Sequence, residues 1–209
     1  MKPGSLRLLA LPGSLRRRSC NRRLLAAAVE LAPPGMDVRV YGDLAAIPLF
    51  DEDLEEETAG GPTPVRQLRA EIAAADGLLV ATPEYNQSIP GVLKNALDWL
   101  SRETPAQVLS GKPSAVVGAT AGRWGTRLAQ TAVRQVLYAT GSLVLPAPAL
   151  YVAGAERLFD EEGRLSDPAT RAQLAAVLAA IAVWIDRVAP RGSASSPSQS
   201  AKAPASPPE

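Results

Sequence analysis

The sequence predicts an α/β fold in which helices cover both faces of a parallel β-sheet. Short apolar runs alternate with segments whose apolar residues recur at helical spacing, so that a strand-helix unit repeats five times. The run LLVA at 78–81 is apolar throughout, which is typical of a strand buried on both faces. We therefore expect a three-layer sandwich around a five-stranded parallel sheet of order 2-1-3-4-5.

The individual elements follow from these patterns. Strands are predicted at 6–11, 36–41, 78–81, 114–118 and 143–145. Helices are predicted at 21–31, 63–75, 90–100, 127–139 and 171–188. Within them, Val65, Leu68 and Ile72 share one helical face, as do Leu93 and Leu97.

Two segments do not fit the strand-helix alternation. Residues 43–62 are predicted to be a long loop, in which the acidic run DEDLEEE (51–57) is solvated, since it lacks the glycine and terminal glutamate of a calcium loop. Residues 190–209 are rich in Ser, Pro and Ala and are predicted to be a disordered tail. The expected organisation is one domain over 1–189 followed by this tail.

Charge and composition exclude several classes of function. The 22 basic and 21 acidic residues give a net charge of +1, which offers no electrostatic basis for binding nucleic acid or an anionic membrane. No apolar run approaches the roughly 20 residues of a membrane span. The lone Cys20 forbids an internal disulfide and suits the cytoplasm. The chain has no histidine, which excludes Ser-His and Cys-His nucleophiles and the commonest zinc sites.

A first polar loop follows the first strand. The stretch PGSLRRRSCNRRLL (12–25) places Ser14, Ser19 and Asn21 around the start of a helix, beside three consecutive arginines. Free N–H groups at a helix start attract phosphate, and hydroxyl and amide groups can complete such a site. The alternative is that Ser19 or Asn21 only caps the helix. The loop matches neither the P-loop nor the G-x-G-x-x-G pattern, and we expect Cys20 to be a small filler rather than a redox-active thiol.

Two further polar loops follow the third and fourth strands. TPEYNQSIPG (82–91) can present backbone N–H groups and an aromatic edge, and ATAGRWGTR (119–127) is rich in small residues that allow close approach of backbone to a ligand. Because the carboxyl ends of parallel strands lie at one edge, all three loops should surround one crevice. A phosphate cradle beside two loops suited to a ring system describes a mononucleotide, and flavin mononucleotide (FMN) is the candidate.

The same residues resemble a known family. G-S-L-R-x-x-S-x-N at 13–21 and P-E-Y-N-x-S-x-P-G-x-L-K-N-A-x-D-W at 83–99 are similar to the NAD(P)H-dependent FMN reductases, which include quinone, chromate and azo-dye reductases of flavodoxin-like fold. The resemblance covers roughly residues 6–188. In the third loop relatives usually carry S-x-G-x-x-G-G, whereas this chain has Thr126 at the final glycine and a bulky Trp124.

The resemblance implies roles for particular residues. The FMN phosphate would be held by Ser14, Arg16, Ser19 and Asn21. The ribityl chain and ring would be lined by Pro83, Glu84, Tyr85, Asn86 and Ser88, with Thr120, Gly122 and Gly125 from the third loop. No catalytic side chain and no metal ligand are expected, since the flavin would carry the chemistry. The resemblance also implies a homodimer or homotetramer.

The predicted function is transfer of a hydride from NADPH or NADH to N5 of FMN and then of electrons to a small acceptor, such as a quinone, flavin, azo compound or metal oxyanion. One alternative is a flavodoxin-like FMN electron carrier, against which the net charge of +1 speaks, because such carriers usually have a strongly acidic surface. A second is a nucleotide-binding regulatory domain without redox activity, which would not need the PEYN segment.

Overall fold

The computed structural model describes residues 5–103 and 106–188. The predicted tail, residues 190–209, lies outside the described residues. Six strands are present: β1 (Leu6–Pro12), β2 (Met36–Val40), β3 (Gly77–Ala81), β4 (Pro113–Ala119), β5 (Leu143–Val144) and β6 (Leu150–Val152). Six helices accompany them: α1 (Cys20–Glu30), α2 (Glu52–Glu57), α3 (Thr63–Ala74), α4 (Gly91–Leu100), α5 (Arg127–Ala139) and α6 (Pro168–Val188).

The sheet has the predicted order, and all its strand pairs are parallel. Its path is β2-β1-β3-β4-β5, and β6 also pairs with β4. Every residue of the central strands β3 and β4 is buried, as expected where helices cover both faces. One core lies between the sheet and helices α1 and α6, and a second lies between the sheet and helices α3, α4 and α5. The three-layer, flavodoxin-like architecture is confirmed.

The fifth strand differs from its prediction at 143–145. It is divided into β5, which pairs with the start of β4, and β6, which pairs with its end. Pro146 and Pro148 lie in the intervening segment. Proline has no N–H to donate to a ladder, so neither can extend the pairing begun by β5.

The acidic run does not form the predicted solvated loop. Residues Glu52–Glu57 form α2, and the carboxylate of Asp51 caps it by accepting from the backbone N–H of Asp53 at 2.9 Å. Glu55 is buried and accepts from Arg102 Nε at 2.6 Å. A buried carboxylate needs a cationic partner, and Arg102 lies 47 positions further along the chain, where sequence periodicity gives no sign of it.

Helix α6 is long and apolar enough to cross a membrane by length and composition alone. Its Leu174, Leu178 and Ile181 are nevertheless fully buried in the core that it shares with α1. Near its end, Ile185 packs on Gly77 at the start of β3. This packing is that of a core helix.

Helix α4 carries an ion pair on its surface and a buried tryptophan on its inner side. Lys94 and Asp98 form an ion pair one helical turn apart, with Nζ 2.5 Å from Oδ1. Trp99 is fully buried. Its Nε1 donates to the carbonyl of Pro48 at 2.9 Å, and its ring meets the ring of Phe50 edge-on.

Candidate functional site

The three polar loops converge at the carboxyl edge of the sheet, and each pair of neighbouring segments is joined by a hydrogen bond. The N–H of Gly13 donates to the carbonyl of Ala81 at 2.8 Å and thereby joins the first loop to the end of β3. The side chain of Asn21 bonds to Ala119 at the end of β4. The carboxylate of Glu84 reaches the start of α5. The three loops therefore lie together at one edge of the sheet, and the crevice between them stays a prediction.

The first loop has the donors that a phosphate would need. The side-chain oxygens of Ser14 and Ser19, both buried, accept from the backbone N–H groups of Arg16 and Arg22 and leave their own O–H protons available. Six backbone N–H groups of this loop find no acceptor among the described residues; they belong to Ser14, Leu15, Arg17, Arg18, Cys20 and Asn21. Free N–H groups at a helix start, with the positive end of the helix dipole, favour an anion.

Asn21 has a structural task that the sequence did not reveal. Its Nδ2 donates to the carbonyl of Ala119 and its Oδ1 accepts from the N–H of Ala119, both at 2.9 Å. One N–H of the amide remains for a ligand. Asn21 thus fixes the start of α1 against β4. Only the remaining N–H of its side chain is available to bind a phosphate.

The second loop contains a tight turn. Tyr85 and Ser88 exchange two backbone hydrogen bonds, of 3.2 and 3.0 Å, and the residues between them have positive φ, 50° at Asn86 and 61° at Gln87. These values are typical of a type I′ turn. The turn projects Tyr85, which is 44% exposed, while Pro83 stays buried beside Gly13. The N–H groups of Glu84, Asn86 and Gln87 find no acceptor in the described chain.

Glu84 binds the first turn of α5, which follows the third loop. Its Oε2 accepts from the backbone N–H groups of Leu128 and Ala129, at 2.9 and 3.0 Å. Thr126 precedes α5 but makes no side-chain cap, so Glu84 supplies the missing acceptor from another loop. Glu84 was predicted to line the flavin ring. One oxygen of its carboxylate stabilises the start of α5.

The third loop is tied to the segment that follows β6. The N–H of Thr120 donates to the carbonyl of Val152, and the N–H of Gly154 donates to the carbonyl of Gly122, at 2.9 and 3.1 Å. Gly125 has φ of 66°, and a Cβ there would lie 2.9 Å from the carbonyl oxygen of Tyr151. Only glycine fits this position. Trp124, by contrast, is 64% exposed.

Residues beneath the loops were not singled out from the sequence. A Cβ on Gly118 would lie 2.1 Å from Thr126 Oγ1 and 2.4 Å from the carbonyl oxygen of Thr82. Gln130, fully buried, donates from Nε2 to Thr126 Oγ1 and to the carbonyl of Leu150. The signal that could have identified this contact is a glycine inside an otherwise apolar strand, which often marks close approach of another backbone.

Two other sequence interpretations concern reactive groups. Burial raises the pKa of the Cys20 thiol, and the carboxylate of Glu156 raises it further. A thiol of raised pKa is a poor nucleophile, in keeping with its interpretation as a filler. Among the described residues no cluster of three or more metal-ligating side chains occurs.

Comparison with known proteins identifies the family. The model of the NADPH-dependent FMN reductase family matches residues 6–157. This chain belongs to that family. The NAD(P)H-dependent FMN reductase of Pseudomonas aeruginosa is 44% identical over 183 residues, which cover 88% of this chain and 97% of that protein. The 2-hydroxy-1,4-benzoquinone reductase of a Burkholderia species is 37% identical over 181 residues, which cover 87% and 97%.

A solved structure agrees with this assignment. The flavoenzyme NAD(P)H:(acceptor) oxidoreductase FerB of Paracoccus denitrificans superposes with a TM-score of 0.79 at 30% identity, over 87% of this chain and 98% of that one. This chain and FerB therefore share one fold over almost the whole length of FerB.

The donors of the site fit FMN. A phosphate monoester has three acceptor oxygens, and the first loop offers two hydroxyl groups and six backbone N–H groups without an acceptor among the described residues. A flavin ring has carbonyl and nitrogen acceptors along one edge, and the free N–H groups of the second loop match these. The phosphate end and the ring end therefore have the polarity that this cofactor requires.

Proposed function

We propose that the protein is an FMN-dependent oxidoreductase that takes a hydride from NAD(P)H and passes electrons to a small acceptor. The observation that carries the proposal is that the first loop, with its unpartnered N–H groups, and the loop that contains the Tyr85–Ser88 turn lie at one edge of the sheet, where the hydrogen bond from Gly13 to Ala81 joins the first loop to the end of β3. An anion site next to an exposed, aromatic-edged surface suits a phosphate-bearing ring whose face must stay open to two successive substrates. Membership of the FMN reductase family supports the same activity.

The cofactor-binding residues are proposed as follows. The phosphate is bound by Ser14, Arg16, Ser19 and Asn21 with the backbone N–H groups around them. The ribityl chain and ring are bound by Pro83, Glu84, Tyr85, Asn86, Ser88, Thr120, Gly122 and Gly125. We assign these contacts to one domain spanning residues 1–189.

When bound, FMN supplies a hydride acceptor at N5 and returns the electrons to an acceptor substrate. The protein's own contribution is to bind and orient. The N–H groups of Glu84, Asn86 and Gln87, which have no acceptor among the described residues, would be available to the bound ring and would stabilise negative charge there. The rigid Tyr85–Ser88 turn fixes these donors before substrate arrives. The chain has no histidine, and no side chain needs to carry a proton for this reaction.

The acceptor is proposed to be a quinone or a similar small oxidant, because relatives that match along most of their length are named quinone reductases. Free flavin, azo compounds and metal oxyanions have the same requirement, namely access to an open flavin face. The exposed side of Tyr85 is compatible with flat acceptors of this kind.

The test is the visible absorbance of the purified protein before and after anaerobic addition of NADPH or NADH. A flavin band that bleaches, and returns when a quinone is added, is the expected result. A band that neither coenzyme bleaches would instead indicate the electron carrier. Absence of any band after incubation with FMN would overturn the cofactor assignment.

We also propose that the protein is cytoplasmic and forms a homodimer or homotetramer. Large apolar side chains are exposed along α5, notably Leu128 and Tyr138. Exposed apolar surface of this kind is typical of protein contacts. Light scattering coupled to gel filtration tests the assembly, and a monomer at micromolar concentration would contradict it.

A further inference from the structure

Two arginines of the third loop lie over the faces of aromatic rings. The guanidinium carbon of Arg123 lies 4.8 Å from the centre of the Trp124 ring. That of Arg127 lies 4.9 Å from the centre of the Tyr151 ring. Both arginines are exposed. Stacking on a ring restrains a guanidinium and leaves the N–H groups at its rim free to bind a ligand.

Neither guanidinium is neutralised by the protein in the described part of the chain. No carboxylate of the described residues lies within 4.0 Å of either, whereas Arg102, Arg164 and Arg171 each have such a partner. Glu84, whose carboxylate reaches the same start of α5, bonds to backbone N–H groups there. The two side chains also donate no hydrogen bond to any described residue. Their positive charge is therefore available to an anion from solution.

We infer that Arg123, Trp124 and Arg127 bind the adenosine 2′-phosphate portion of NADPH and so make the enzyme selective for NADPH over NADH. This inference rests on the proposed function. NADPH and NADH differ only by that phosphate monoester, which a planar guanidinium fork matches with two parallel hydrogen bonds. Trp124, 64% exposed, offers a flat apolar surface for the adenine ring. The anion cradle of the first loop is a separate site, which the cofactor phosphate would fill.

The inference is tested on the FMN-loaded protein by calorimetric binding of adenosine 2′,5′-bisphosphate and of 5′-AMP, which lacks the 2′-phosphate. In the double variant Arg123→Gln/Arg127→Gln, we expect binding of the bisphosphate to weaken about tenfold or more, because charge-assisted hydrogen bonds are lost. Binding of 5′-AMP should stay the same. The KM for NADPH should rise by a similar factor, with kcat and the KM for NADH unchanged.

Arg187→Gln is the matched control. Arg187 is also exposed and lies in the last turn of α6, at the edge of the sheet where the strands begin. It should alter neither binding nor kinetics. Retained flavin absorbance in the double variant shows that the loop is still folded.

Two results would overturn the inference: a double variant with unchanged preference between the two coenzymes, or one that weakens NADPH and NADH equally. Failure of the proposed function looks different. In that case neither coenzyme bleaches the flavin in the unaltered protein, while the bisphosphate titration still decides whether the arginines recognise a 2′-phosphate.

Discussion

Asn21 and Ala119 hold each other by two hydrogen bonds of 2.9 Å, in which the side-chain amide of one residue pairs with both backbone groups of the other. The pair joins the start of α1 to the end of β4 across 98 positions of sequence. Asn21→Ala leaves a buried N–H and a buried carbonyl without partners, so we expect the free energy of unfolding to fall by about 2 kcal/mol or more. Urea unfolding measures this change, and flavin titration should show weaker FMN binding.

Asn95 offers a matched control for that substitution. Its side-chain amide accepts from the N–H of Phe50 and donates to the carbonyl of Pro48, each at 2.8 Å, but these residues lie outside the three loops. Asn95→Ala should lower stability by a comparable amount while leaving the FMN dissociation constant unchanged. If both variants bound FMN equally well, Asn21 would have no part in arranging the cofactor site.

The bond from Glu84 to the start of α5 predicts a difference between two substitutions. Glu84→Ala removes the acceptor for the N–H groups of Leu128 and Ala129, which should cost about 1 kcal/mol, as for loss of a helix cap. It should also weaken FMN binding about tenfold, because the second loop is no longer joined to the start of α5. Glu84→Gln keeps an acceptor oxygen and should retain most of both properties.

Chemical denaturation and flavin titration of the two variants check this expectation. Glu161→Ala serves as the control, since Glu161 is an exposed glutamate in the turn before Gly163. If Glu84→Gln proved as damaging as Glu84→Ala, the negative charge itself would be required, and the bond to α5 would not explain the role of the residue.

A side chain at position 118 is expected to disturb the structure by steric clash alone. A Cβ at this position would lie 2.1 Å from Thr126 Oγ1 and 2.4 Å from the carbonyl oxygen of Thr82. Gly118→Ala should therefore push the third loop away from β3 and destabilise the protein by about 2 kcal/mol or more. Thermal unfolding and FMN content on purification report the two effects.

Gly42→Ala is the control for Gly118→Ala. No atom lies within 4 Å of a Cβ built on Gly42, and its backbone does not have positive φ. It should be neutral or slightly stabilising, because alanine reduces the freedom of the unfolded chain. Normal stability and flavin content in Gly118→Ala would show that the loop can move without consequence.

Much of the fold could be predicted because its signals are local. Leu78 to Ala81 form a fully buried strand, and an apolar run bounded by a loop is visible in the sequence alone. The divided fifth strand was not predicted, since two or three residues of pairing on either side of a proline-containing segment produce no periodic pattern. Helix α2 was missed because its acidic composition suggests solvent exposure.

In the candidate site too, the features that follow from local motifs could be predicted, whereas the contacts between segments far apart in sequence could not. Motif residues such as Ser14 and Ser19 lie where their spacing around a helix start predicts. The tasks of Asn21 and Glu84 depend on backbone groups 98 and 44 positions away. The burial of Glu55 depends similarly on Arg102. A single sequence contains no signal for such pairings, which arise only once the sheet has brought distant segments together.

The start of α6 predicts a pH-dependent contribution to stability. The carboxylate of Asp167 accepts from the backbone N–H and the hydroxyl of Thr170, at 2.8 and 2.7 Å, and these two bonds lower the pKa of Asp167 from its ordinary value of 3.8. A carboxyl whose pKa is lower in the folded state stabilises the fold above its unfolded pKa, and this contribution is lost as the pH falls through the folded pKa. Asp167→Ala should therefore be less stable than the unaltered protein at pH 7. The difference should shrink as the pH falls below about 4.

Urea unfolding of both proteins across this pH range gives the difference directly, because other titrating carboxyl groups, such as that of Asp160, are common to both and cancel. Asp167→Asn, which retains an acceptor oxygen but cannot ionise, should lie between the two at pH 7. A deficit in Asp167→Ala that stayed constant down to pH 3 would mean that the lost contact is not electrostatic. The cap would then stabilise α6 through its geometry, with the charge of Asp167 contributing nothing.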